Sequence, residues 1–297
     1  MTPDRRTYAC RITGGGCETT EGDSALIFPY WSFTKTAIAI CGLKLSEQGR
    51  IDLDAPVPDS DFTLRELLDH TAGLPDYATL REYRDAVARD EEPWSRDHLL
   101  DAAMAQGRLF RPGTGWAYSN VGYMLAREFI EAAAGKPFPS LFREMIGDRL
   151  GLESVELAST RTQFARVCWD AARSYHPGWV YHGCLIGTAA DAARLLHALF
   201  TGELLADAML EQMLRSRPLG GAIEGRPWTE CGYAAGLMSV GYGAAGRAIG
   251  HTGGGPFSVC AVYHFPNQPD PVTVAAFADG PDAGAAEFAA VRCAEDG

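Results

Sequence analysis

The alternation of apolar and polar positions changes character along the chain. From Ser32 to about Gln48 nearly every position is apolar or small, which predicts a helix that is buried on most of its sides. Between residues 62 and about 190 the apolar positions recur at helical spacing. After residue 231, short apolar runs separated by glycine and proline predict strands, and the stretch from Ala285 to Cys293 predicts one closing helix.

Residues at the expected helix boundaries support this interpretation. The run from Thr63 to Glu66 has the spacing of a capping box. Ser95 and Asn120 are residue types that cap helices, and Gly135 is a suitable end for the helix that follows Asn120. The boundaries therefore agree with the apolar spacing.

The order of these elements predicts an α+β fold. The first thirty residues look like short strands and turns, so strands lie at both ends of the chain with helices between them. We expect an antiparallel β-sheet flanked by helices, plus an inserted, mainly helical domain. The predicted boundaries are 1–61 with 190–297 for the sheet domain and 62–189 for the inserted domain.

Composition narrows the range of partners. The chain has 297 residues, 46% hydrophobic content and a formal net charge of −12. An acidic protein of this kind is not expected to bind nucleic acid or an anionic membrane surface, because both favour clusters of lysine and arginine. No apolar run has the length of a signal peptide or a membrane span, so we expect a cytoplasmic protein.

The eight cysteines are dispersed and form no Cys-x-x-Cys pair. Without such spacing, and without a histidine cluster beside them, we expect buried free thiols, no metal site and no cofactor.

Ser32-Phe33-Thr34-Lys35 is the first candidate for chemistry. If Ser32 opens the buried helix, Lys35 lies one turn away on the same face and can reach the serine hydroxyl. Burial lowers the pKa of a lysine, which suits a proton acceptor. Chance spacing, or a lysine that forms a structural salt bridge, is an alternative explanation of this motif alone.

Tyr118-Ser119-Asn120 ends a loop rich in glycine and proline. Such a loop can place Tyr118 in a cleft, where its phenol relays a proton, with Trp116 in the wall of that cleft. For Tyr118 alone, ordinary aromatic packing beside a helix cap is the favoured explanation, and packing in the core explains Trp116 equally well.

His251-Thr252-Gly253-Gly254-Gly255 precedes an apolar run. Glycines here permit a substrate to approach a strand edge closely, and the Gly254 N–H can donate to an oxyanion. A glycine-rich hairpin turn is the alternative.

Together and in this order, the three motifs resemble the serine β-lactamase and penicillin-binding-protein superfamily, in its branch of class C β-lactamases, DD-peptidases and esterases. The resemblance implies an acyl-enzyme on Ser32, proton transfer by Lys35 and Tyr118, and a substrate contact from Asn120. It also implies that Gly254 and the Ser32 N–H form the oxyanion hole. By the same resemblance, the segment His251-Thr252-Gly253 lines the site and Thr252 faces an acidic end of the substrate.

The implied activity is hydrolysis of a small ester, amide or β-lactam, with a small-molecule substrate as the partner. His251 replaces a lysine common in the family, which weakens the case for carboxylate recognition and hence for β-lactams. A D-aminopeptidase or D-amino-acid amidase is one alternative, and a catalytically silent binding protein is another. Only 31 residues precede Ser32, so we also expect a reduced sheet or a homo-oligomer that completes it.

Overall fold

An eight-stranded antiparallel sheet forms the centre of the computed structural model, which describes residues 7–105, 107–242 and 246–296. Its strand order is β2-β1-β11-β10-β9-β8-β7-β6. The strands are β1 (Thr7–Thr13), β2 (Glu18–Glu21), β6 (Arg217–Gly221), β7 (Glu230–Ala234), β8 (Leu237–Gly241), β9 (Arg247–Gly254), β10 (Ser258–Phe265) and β11 (Val272–Asp279).

A second, three-stranded sheet has the order β3-β5-β4. It comprises β3 (Phe28–Pro29), β4 (Glu156–Ala158) and β5 (Cys184–Gly187). The predicted helical region therefore contributes two short strands of its own, which pair next to the segment that leads to Ser32.

The helices are α1 (Thr34–Glu47), α2 (Leu64–Leu68), α3 (Arg81–Ala88), α4 (Arg96–Met104), α5 (Asn120–Ala134), α6 (Phe138–Phe142), α7 (Asp148–Leu150), α8 (Arg161–Phe164), α9 (Ala189–Phe200), α10 (Asp207–Met213) and α11 (Ala283–Glu295). None of the helices among the described residues has both the length and the apolar character that crossing a bilayer requires.

The two ends of the chain meet in the large sheet, as the pattern predicts. Strand β1 pairs with β11 from Thr7 opposite Ala278 to Thr13 opposite Val272. The residues before Ser32 supply two strands of this sheet. The expectation of a reduced sheet, or of a homo-oligomer that completes it, stays a prediction. The predicted α+β class is confirmed, whereas the division into domains at residues 61 and 190 stays a prediction.

Helix α1 is the central helix of the core. Its positions from Thr34 to Leu43 are all buried, in agreement with the absence of a polar face in the sequence. It belongs to the same apolar cluster as α5, α9 and one face of the large sheet, while α11 covers the other face. A polar side chain on α1 therefore needs a partner inside the protein.

The helix caps agree with those predicted from the sequence, with one difference. Thr63 and Glu66 form the predicted capping box, and Ser95 caps α4. Ser119, not Asn120, caps α5 by accepting from the Gly122 N–H at 2.9 Å. The Asn120 side chain is thereby free to turn inward.

Candidate active site

Ser32 lies in a 3₁₀ turn, Trp31–Phe33, directly before α1. Trp31 has a φ of 44°, a left-handed conformation that is unfavourable for a bulky residue. Its indole packs against an aromatic cluster and its Nε1 donates to Ser258 Oγ at 3.0 Å. Tertiary contacts thus hold the strained backbone of Trp31 in place. The next residue, Ser32, lines a cleft.

Lys35 reaches Ser32 as the spacing predicts. Its Nζ lies 3.1 Å from Ser32 Oγ, and the side chain is fully buried. Burial lowers the pKa of Lys35 to about 7, although the negative charge of Asp76 acts in the opposite direction. Near neutral pH a substantial fraction of Lys35 is therefore the neutral amine, which can accept a proton.

Tyr118 approaches the same serine from the loop that precedes α5. Its phenol donates to Ser32 Oγ at 3.0 Å. Burial raises the pKa of Tyr118 above its ordinary value. The phenol is consequently a proton donor in the resting site, and His70 packs against its ring at a centroid distance of 4.4 Å.

Asn120 connects Lys35 to an acidic residue. Its Oδ1 accepts from Lys35 Nζ at 2.7 Å, and its Nδ2 donates to Asp76 Oδ1 at 2.9 Å. These two contacts fix the orientation of the amide. Asn120 also lines the cleft.

The glycine-rich segment forms the end of strand β9 and enters the hairpin turn that leads to β10. A Cβ on Gly253 would lie 2.7 Å from the Tyr30 carbonyl oxygen and 2.8 Å from the Ser32 nitrogen. Only glycine permits β9 to run this close to the backbone of Ser32. Gly254 has more space, because its Cβ would meet only Val259 at 3.6 Å.

His251 is buried beside Tyr233. Its Nε2 lies 3.0 Å from the Tyr233 hydroxyl, and its Nδ1 lies 2.6 Å from the Thr252 carbonyl oxygen. Burial, followed by the charge of Lys35, lowers the pKa of His251 to about 3. The ring is neutral at ordinary pH, so it supplies no positive charge where the family commonly has a lysine.

The expected place of Thr252 requires a correction. Its hydroxyl contacts Tyr263 at 2.8 Å and the buried carboxylate of Glu287 on α11. Side chains alternate between the two faces of a strand, so His251 lies on the face toward Tyr118 and Ser32, and Thr252 lies on the opposite face. Thr252 therefore does not line the substrate site.

Trp116 also lies away from the cleft wall. Its ring is 6.0 Å from His70 and 6.0 Å from Tyr233 between centroids, and it is absent from the cleft lining. Its position supports the aromatic packing behind Tyr118, which was the alternative explanation.

The cleft beside Ser32 has a volume of about 590 Å³. Small and aliphatic residues make up much of its wall, and six large aromatic side chains also line it: Trp31, Tyr77, Tyr83, Tyr175, Trp179 and Phe257. Among its described lining residues the charged ones are Arg84 and Asp90. Such a cleft suits an apolar substrate group next to the serine.

Two site residues had no usable sequence signal. His182 Nε2 lies 3.2 Å from Lys35 Nζ, and Asp76 holds Asn120. Both come from loops that are distant in sequence from α1, and neither belongs to a recognisable spacing. His70, whose ring packs against Tyr118, follows the capping-box helix and takes a left-handed φ of 64°.

The chain is similar in sequence to several curated proteins. Penicillin-binding protein 4* of Bacillus subtilis is 30% identical over 169 residues, which are 52% of this chain and 35% of that protein. A D-aminopeptidase of Cereibacter sphaeroides is 33% identical over 108 residues, 36% of this chain and 20% of that protein. The chain spans about a third to a half of the curated relatives that match it first.

The structure resembles that of D-amino acid amidase from Ochrobactrum anthropi SV3, with a TM-score of 0.79 and 23% sequence identity. The match covers 93% of this chain and 88% of the other, which supports the fold. The model of the family described as Beta-lactamase matches residues 22–293. The resemblance drawn from the three motifs is confirmed, and the chain belongs to the Beta-lactamase family.

Proposed function

We propose that the protein is a serine hydrolase that forms an acyl-enzyme on Ser32. The observation that carries this proposal is the convergence of Lys35 Nζ and Tyr118 OH on Ser32 Oγ, at 3.1 and 3.0 Å. A nucleophile within hydrogen-bond reach of both a base and an acid is the arrangement that acyl transfer requires.

The two proton-transfer roles divide between these residues. Lys35, whose pKa burial lowers to about 7, takes the Ser32 proton as Oγ attacks the substrate carbonyl. Tyr118, whose pKa burial raises, gives its proton to the leaving group and recovers one from Lys35. Water then attacks the ester and releases the acid.

The oxyanion would lie between two backbone N–H groups, those of Ser32 and Gly254. The close approach of β9 at Gly253 to the Ser32 nitrogen supports this place for the oxyanion hole. Asn120 Nδ2 has a second hydrogen beyond the one that it gives to Asp76, and this hydrogen can bind the substrate carbonyl of an amide or ester.

We propose a small ester or amide with an apolar acyl group as the substrate. The aromatic side chains that line the cleft favour such a group, and the neutral His251 gives no charge to bind a carboxylate. These features favour esters and amides over β-lactams, whose carboxylate needs a cation. Thr252, which faces α11, takes no part in substrate binding in this proposal.

A D-aminopeptidase or D-amino-acid amidase is the second candidate. It is favoured by the D-aminopeptidase relative and by the fold shared with D-amino acid amidase. Turnover of p-nitrophenyl acetate, D-phenylalanine amide, its L-enantiomer and nitrocefin distinguishes the candidates. Preference for the D-amide over both the ester and the L-amide would select this second function.

Intact-mass measurement after reaction with a fluorophosphonate tests the chemistry itself. Wild-type protein should gain one adduct, and Ser32→Ala should gain none. Equal labelling of both would refute Ser32 as the nucleophile. Absence of any adduct, with fluorophosphonate or with p-nitrophenyl acetate, would instead support the catalytically silent binding protein.

A further inference from the structure

His182 contacts Lys35 from the short loop before β5. Its side chain is 2% exposed, it lines the cleft together with Ser32, and its Nε2 lies 3.2 Å from Lys35 Nζ. A buried imidazole at hydrogen-bond distance from the proposed base is not required by the acyl-transfer scheme given above.

The three neighbours of Lys35 Nζ differ in what they can do. Asn120 Oδ1 is held as an acceptor, because Nδ2 of the same amide donates to Asp76. His182 Nε2 is an acceptor whenever the imidazole is neutral and its proton is on Nδ1. The third neighbour, Ser32 Oγ, is the group that must lose a proton.

The surroundings keep His182 neutral. Burial lowers the pKa of His182 well below its usual range, and the positive charges of Lys35 on α1 and Arg127 on α5 act in the same direction. The Trp31 backbone acts in the opposite direction, but Nδ1 makes no hydrogen bond of ordinary geometry. His182 is therefore neutral over the pH range in which Lys35 titrates, and with its proton on Nδ1 its Nε2 accepts from Lys35 Nζ.

A neutral lysine has two N–H bonds and one lone pair. With Asn120 and His182 accepting the two N–H bonds, the lone pair has one remaining direction, toward Ser32. We propose that His182 is a positioning residue for acylation, which with Asn120 aims the lone pair of neutral Lys35 at the Ser32 hydroxyl. This inference rests on the proposed acyl-enzyme function.

The step is balanced without a further reactant. Ser32 Oγ forms a bond to the carbonyl carbon, and the carbonyl π pair moves to its oxygen. The Oγ proton moves to Lys35 Nζ, whose lone pair becomes the third N–H bond. The ammonium keeps its hydrogen bonds to Asn120 and His182, so no side chain has to turn during the transfer.

Three variants test the role of His182. His182→Phe removes the acceptor and keeps a ring, whereas His182→Gln supplies an amide oxygen in its place. His197→Phe is the control, because His197 lies on α9 beside Thr273 and is not part of the cleft lining. The measured quantity is kcat/KM for p-nitrophenyl acetate between pH 5 and 9.

We expect His182→Phe to lower the plateau of kcat/KM by about 10- to 100-fold, a range typical of residues that orient a reacting group. The acidic limb of the kcat/KM–pH profile of His182→Phe should move to lower pH, because the Lys35 ammonium loses an acceptor that stabilises it. His182→Gln should recover most of the rate and the wild-type limb, and His197→Phe should match wild type. A merely structural role would reduce the active fraction without moving the limb.

Wild-type kcat/KM and an unmoved limb in His182→Phe would overturn the inference. So would equal losses in the phenylalanine and glutamine variants with no shift of the limb. If His182→Phe does not fold, His182→Ala with added imidazole replaces it, and failure of imidazole to restore the rate would refute the role. Absence of acylation in the wild type would refute the proposed function, whereas acylation that is insensitive to position 182 would refute only this inference.

Discussion

Replacing Lys35 with methionine should remove acylation and change how stability depends on pH. Methionine keeps the length of the side chain and suits the apolar surroundings of α1. The change removes the proton acceptor next to Ser32, so we expect the kcat/KM for p-nitrophenyl acetate to fall by at least about 100-fold. Stability should respond in a separate and measurable way.

The magnitude follows from the titration of Lys35. Burial lowers its pKa from 10.5 to about 7. Between these two pH values the unfolded chain binds a proton that the folded protein has released, so the free energy of unfolding rises with pH. The slope approaches about 1.4 kcal/mol per pH unit once Lys35 is deprotonated in the folded protein, which amounts to about 2 kcal/mol between pH 7 and 9 and about 3 kcal/mol between pH 6 and 9.

Urea unfolding of wild type, Lys35→Met and Ser32→Ala at pH 6, 7, 8 and 9 measures this slope. The difference in unfolding free energy between the methionine variant and wild type cancels the other titrating groups. It should favour the methionine variant most at pH 6 and fall by about 3 kcal/mol by pH 9. Ser32→Ala should keep the wild-type slope, because it keeps Lys35 buried while it lacks the nucleophile.

A difference that is constant from pH 6 to 9 would refute the lowered pKa of Lys35, and with it the assignment of Lys35 as the base. If wild type and Lys35→Met show the same dependence of unfolding free energy on pH and the variant still loses acylation, the lysine is needed for packing or charge only.

Two further predictions concern strand β9. Gly253→Ala should abolish acylation, because its Cβ would lie 2.8 Å from the Ser32 nitrogen. Gly254→Ala should fold and keep the wild-type melting temperature, since its Cβ has space. Fluorophosphonate labelling and thermal unfolding test the pair, and equal labelling of both alanine variants would contradict the close approach. Thr252→Val should lower the free energy of unfolding by about 1–3 kcal/mol, because the buried Glu287 carboxylate loses a donor, and should leave KM for p-nitrophenyl acetate unchanged. A several-fold rise in KM for the valine variant would mean that Thr252 does contact the substrate.

The main local features could be predicted from the sequence because they depend on neighbouring residues. The buried character of α1 follows from its uninterrupted apolar run, and the contact of Ser32 with Lys35 follows from helical spacing. The capping box at Thr63 is likewise a pattern of four residues. The order of strands and helices was enough to predict the α+β class and the meeting of both chain ends in one sheet.

Tertiary structure decided which side chains complete the site. Asp76 reaches Asn120 on α5 and His182 reaches Lys35 on α1, both from loops that are far away in sequence. Their positions depend on how the helices pack around α1. Whether Ser119 or Asn120 caps α5 depended on whether an inward partner existed, because both residue types cap helices equally well.

Strand β9 shows the same division between local and tertiary information. The sequence by itself determines that His251 and Thr252 point to opposite faces of a strand, because that alternation is a property of extended backbone. Which face meets the cleft was decided only by packing: α11 brings Glu287 to Thr252, and α1 brings Ser32 to the other face. The nucleophile and its base are therefore encoded locally, and the groups that orient them depend on long-range contacts.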